Sequence, residues 1–97
     1  MNDSGQPVPI IVASVGPDTY RVNVQAKANS EHRVTVSPAY LKELDVAAQP
    51  VTRVIEESFR FLLERESNTS ILAGFDLREI ERYFPEFPAE IARRLKS

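Results

Sequence analysis

The segment VTRVIEESFRFLLERE, Val51 to Glu66, is apolar around more than half of a helical wheel. At about 100° per residue, Val51, Val54, Ile55, Phe59, Phe61, Leu62 and Leu63 fill an arc of roughly 200°, about twice the stripe that one neighbour requires. A helix of this kind must sit between two layers, so the rest of the chain has to supply both. It reads as the spine of the core, with a sheet on one side and later helices on the other. Phe59 and Leu62, near the middle of the arc, should be almost fully buried. The polar side carries Glu56, Arg60 and Glu64 at four-residue spacing, which adds only modest helix support.

Upstream the periodicity changes to two. Tyr20, Val22, Val24 and Ala26 alternate with Arg21, Asn23, Gln25 and Lys27, and His32, Val34 and Val36 alternate with Arg33, Thr35 and Ser37. This is the pattern of strands with one buried face. Residues opposite one another in a sheet share a face, so parity restricts the register. A two-residue turn at Asn29-Ser30 sets Val24 against Thr35 and spoils the buried face. A three-residue loop, Asn29-Ser30-Glu31, sets Ala28 against His32, Ala26 against Val34 and Val24 against Val36. Gly16-Pro17-Asp18 is a turn signal, and a three-residue loop there sets Val12 against Val22 and Ile10 against Val24. The expectation is a three-stranded antiparallel meander beginning near Val8, preceded by a flexible leader over residues 1–7.

Downstream, Ser37-Pro38 reads as an N-cap and first helical residue, opening a short helix from Ala39 to Leu44. The spine helix begins near Pro50, and Ser67-Asn68-Thr69-Ser70 ends it. Ile71, Leu72 and Phe75 read as core plugs on a turn or short helix. Asp76 and Glu79 have capping-box spacing ahead of a helix from Leu77 to about Phe84, and Pro88 opens a last helix with Ile91 and Leu95 as its stripe. Strands followed by helices predict an α+β class: an N-terminal three-stranded antiparallel β-meander packed against a C-terminal layer of three to four helices. Residues 8–97 are expected to form a single domain.

Composition excludes several classes. Twelve Lys and Arg against fourteen Asp and Glu give a net charge of -2, spread over both halves of the chain, so a generally basic nucleic-acid or membrane-surface binder is not indicated. The absence of cysteine removes disulfides, thiolate zinc sites and cysteine nucleophiles. PIIVASV is too short to cross a bilayer, and MNDSGQPVP lacks the layout of a signal peptide, so the expected location is cytoplasmic with no membrane association.

No catalytic constellation is legible. His32, the single histidine, has no second histidine or cysteine near it and reads as a strand-end residue with a structural or solvent role. Glu56, Glu57, Glu64 and Glu66 lie on or near the polar side of the spine helix and read as solvated surface. Gly5, Gly16 and Gly74 have no phosphate-binding spacing. No cofactor or metal is expected, and an enzyme would need a pocket that the sequence does not reveal.

Two surfaces suit protein contact better. If Ile10 and Val12 face the core, Ile11, Ala13 and Val15 point outward along an edge strand, an apolar strip that something has to cover. Tyr83, Phe84 and Phe87, in YFPEFP, form a proline-punctuated aromatic cluster that serves either as a contact surface or as a cap on the core.

Two likenesses complete the reading. HRVTVSPAYLKELDVAAQPVTRVIEESFRFLLERE is superficially similar to ribbon-helix-helix regulators and antitoxins, which implies Arg33, Thr35 and Ser37 as DNA readers. The strand already has an intrachain partner, the first helix is short and the chain is slightly acidic, so nucleic acid is the lesser expectation. SFRFLLERESNTSIL and FDLREIERYFPEFPAEI, preceded by YRVNVQAKANSEHRVTVSPAYL, resemble a group of small bacterial proteins known as uncharacterised open reading frames. The resemblance runs from about Tyr20 to Ile91 and implies no activity or site. The function expected from the residues is a non-enzymatic accessory or regulatory domain that binds a protein partner or self-associates.

Overall fold

The computed structural model describes residues 8–96, and the leader expected at residues 1–7 lies outside the described residues. Over the described residues the chain is α+β, with a four-stranded sheet and four α-helices. Strands β1 (Ile10–Gly16), β2 (Thr19–Gln25) and β3 (Asn29–Thr35) form the meander, and two helices follow, α1 (Pro38–Glu43) and α2 (Val51–Leu63). A short strand, β4 (Gly74–Asp76), then precedes α3 (Glu79–Tyr83) and α4 (Phe87–Lys96). The sheet order is β1-β2-β3-β4.

The first hairpin has the expected register, with Ile10 opposite Val24 and Val12 opposite Val22. Its loop is tighter than three residues: a bulge between Ser14 and Gly16 brings Gly16 opposite Thr19, and Asp18 takes the left-handed conformation (φ 52°). A short polar side chain tolerates that region better than most residues.

The second hairpin departs from expectation. Its loop is Ala26-Lys27-Ala28, and the pairs are Tyr20 with Val34, Val22 with His32 and Val24 with Ser30. The shift keeps parity, so Val22, Val24, Val34 and Val36 still point inward and are buried. Parity therefore cannot choose between the two loops. Asn68 holds the observed loop from outside: its Nδ2 donates to Ala28 O and to Ser30 Oγ, both at 2.8 Å.

The fourth strand is the other departure. Ile71 and Phe75 pack on the core as expected, but in extended backbone and not on a turn or short helix. Ile71 is buried and Phe75 lies on β4, but Leu72 is 53% exposed. The β4 strand pairs parallel to β3, with Val34 opposite Phe75, and Arg33 N–H donates to Ala73 O. The connection from β3 to β4, which contains α1 and α2, is the long crossover that a parallel pair demands.

Helix α2 is sandwiched as its wide arc requires. Phe59 faces the sheet, 5.3 Å from the His32 ring and 6.0 Å from Phe75, measured between centroids. Phe61 faces the C-terminal helices, in edge contact with Phe84 and Phe87. Phe59 and Leu62 are buried. Ser37 caps α1 by accepting from Tyr40 N–H, and Pro38 opens the helix. Helix α3 is shorter than expected. Asp76 Oδ1 accepts from Arg78 N–H, which supports the entry to that helix.

Candidate functional site

The sheet leaves one long edge, β1, open among the described residues. Gln25 N–H donates to Pro9 O, so Ile11 and Ala13, ahead of the bulge, turn their backbone groups toward β2. By the alternation of an antiparallel pair, Ile10, Val12 and Ser14 turn theirs outward. The outer face of the same strand carries Ile11, 48% exposed, half-buried Ala13 and Val15, 39% exposed. The helices pack on the opposite face, which they reach through Val8, Ile10 and Val12. Among the described residues, then, no helix covers the strip predicted from parity. The sequence IIVASVG contains no charged residue, and its one blunting device is the bulge near its end.

The aromatic cluster divides. Phe87 is fully buried against Phe61 and belongs to the core. Tyr83 is 64% exposed, and it lines a groove together with half-buried Phe84. The cavity measures about 280 Å³ between α2, the segment leading into β4, and α3. Leu62, Ile71, Leu72, Phe75 and Ile80 complete its apolar walls, and Glu66 and Glu79 bring carboxylates to it.

The groove's far wall is positioned by a directed polar chain. Asn68 Nδ2 donates to Ser30 Oγ, Ser30 Oγ lies 2.8 Å from His32 Nε2, and His32 Nδ1 lies 2.7 Å from Leu72 O. The Leu72 carbonyl can only accept, so His32 donates from Nδ1, and in the neutral ring Nε2 accepts a hydrogen bond from the Ser30 hydroxyl. His32 is thus not a strand-end residue beside a loop. It sits within β3, buried and opposite Val22, and both its nitrogens tie β3 to the segment before β4.

The residues expected to read DNA are placed differently from one another. Arg33 and Thr35 lie exposed on the outer face of β3, a strand flanked by β2 and β4. Ser37 is occupied as the α1 cap. With both edges of β3 filled inside the chain, no free edge remains for the intermolecular strand pair of a ribbon-helix-helix dimer.

A further polar cluster is structural in geometry. Tyr40 is buried, its hydroxyl donates to Glu81 Oε1 at 2.6 Å, and Arg78 stacks 4.4 Å above its ring. Arg78 also grips Glu43 through both terminal nitrogens, at 3.0 and 2.9 Å. Burial, reinforced by the Glu81 carboxylate, pushes the Tyr40 phenol far above its ordinary range. The proton stays on the oxygen and holds α1 to α3. Among the described residues, no three His, Cys, Asp or Glu side chains gather as a metal site, and no helix is long and apolar enough to cross a membrane.

The sequence reading missed Leu72, Phe75, Glu66 and Glu79 as groove residues. One signal was present: Ile71 and Leu72 are adjacent, and in extended backbone successive side chains point to opposite faces. One of the two therefore had to turn outward. Comparison with known proteins finds no matching family model, no matching curated protein and no matching solved structure.

Proposed function

We propose that this chain is a non-enzymatic interaction domain that self-associates through the edge of β1. The supporting observation is a seven-residue edge strand with no charged side chain, outward-turned backbone groups and Ile11 48% exposed beside them. Antiparallel pairing with a second copy about a two-fold axis at Val12 sets Ile11 against the partner copy's Ala13 and joins the two sheets into one. No like charges meet, because β1 has none. Two-fold pairing of one patch with itself is the commonest form of homodimer contact. The non-enzymatic part of the reading is supported by the use of His32 and Tyr40 in internal hydrogen bonds.

Sedimentation of the wild type and of Ile11→Lys tests this. The expected result is a wild-type dimer, and a folded variant shifted toward monomer by at least roughly tenfold in dissociation constant, given the cost of placing a charge in an apolar contact. Ser14→Pro is the backbone control. It removes an outward N–H, which an edge strand tolerates, and it should weaken the dimer in the same way. A monomeric wild type, or a dimer indifferent to both changes, would remove β1 as the contact.

A further inference from the structure

The groove beside β4 lies at the opposite end of the sheet from β1, and it has a charge as well as a shape. Among the described residues two glutamates line it and no basic side chain does. Glu66 makes no ion pair among the described residues. Among the described residues Glu79 is paired only with Arg82, at 3.6 Å, and Arg82 is itself 74% exposed. Carboxylates beside an apolar floor select a ligand with both apolar and cationic character.

Size narrows the class. A cavity of about 280 Å³ falls just below the ~300–1,000 Å³ common for small-molecule and cofactor pockets. It has room for one or two apolar side chains. Leu72 and Tyr83, both more than half exposed, extend the apolar surface out of the cavity into solvent. A ligand that uses all of it must be longer than the cavity and cross its mouth, as a peptide does. The wall that would receive it is held in place: Ile71 N–H donates to Asn68 O, and His32 is fastened to Leu72 O. A pre-formed wall lowers the ordering cost of binding.

We infer that this groove binds a peptide segment of a partner protein, inserting one apolar side chain between Leu72 and Tyr83 and placing a neighbouring Lys or Arg against Glu66 and Glu79. The inference is independent of self-association, because the two surfaces share no residue and lie at opposite ends of the sheet.

Selection of a random-peptide display library on the full chain, followed by binding measurements on synthesised winners, tests it. The enriched sequences are expected to carry a large apolar residue within about four positions of a Lys or Arg, the reach of one helical turn or a short extended stretch. Leu72→Glu should weaken these peptides by roughly tenfold or more, as loss of an apolar anchor does. Glu66→Lys combined with Glu79→Lys should weaken them at low salt, and the difference should shrink as salt is raised. All three side chains reach the surface, so circular dichroism and thermal unfolding should match the wild type. No enrichment, enrichment of acidic or uncharged sequences, or binding that ignores both variants would overturn the proposal.

Discussion

Arg21 and Arg33 stand directly opposite one another on the exposed face of the sheet. Arg33 turns its N–H away to Ala73 O, so the two form the non-hydrogen-bonded type of pair, in which opposed side chains lie closest. Neither makes an ion pair among the described residues. Like charges so placed destabilise a sheet, typically by a few tenths of a kcal/mol to about 1 kcal/mol. Arg33→Glu is therefore expected to raise stability in urea unfolding by up to ~1 kcal/mol. Added salt should stabilise the wild type by screening this repulsion, and stabilise the variant less. A variant less stable than the wild type would show that the arginines do not oppose each other. Alternation alone reveals that both residues point outward. Their confrontation depends on the register, which is set at a distance.

Among the elements, α4 depends most visibly on charge. Arg93 first, and then Arg94, hold the Glu90 carboxyl down to about 2, from an ordinary value of 4.5. Arg94 also reaches Glu64 at 2.7 Å, joining α4 to the end of α2. A carboxyl depressed in the folded state binds its proton more readily in the unfolded chain. Its stabilising contribution is thus complete above pH 4.5 and is lost as the pH falls toward about 2. Glu43 and Asp45 are lowered in the same direction, by Arg78 and Lys96. Thermal unfolding at a series of pH values should show a fall across this window, and Glu90→Gln should flatten it. An unchanged slope in the variant would mean that the pair contributes nothing in solution.

The elements also show why some of the fold was legible and some was not. Helix α2 was readable because its apolar arc is a local property, and the first hairpin because Gly16-Pro17-Asp18 marks its turn. The second hairpin slipped because Asn68, about forty residues away, holds its loop. Strand β4 is three residues long and has no alternation to display. Of the aromatics in YFPEFP, Tyr83 and Phe84 reach the groove while Phe87 fills the core, a division made by the start of α4 and not by composition. The groove itself joins three elements separated in the chain. No single window of sequence contains it.

For the molecule as a whole, the parallel pairing of β3 with β4 implies an order of assembly. The antiparallel meander closes through short loops, whereas β4 reaches β3 only after about forty residues of chain have been gathered in. The entropy of that closure is met before any of its contacts form. Folding should therefore start with the meander docking on α2, and β4 should join late and leave early. In native-state hydrogen exchange, the amides of Arg33 and Leu77, which donate to Ala73 O and Thr35 O, should open at lower free energy than those within the β2–β3 hairpin. Equal protection across the sheet would show that it opens as one unit. If β4 does part first, its release carries Leu72 and Phe75 away from Tyr83. The last strand to arrive would then act as a latch, and the lifetime of a bound peptide would be governed by how often that latch opens.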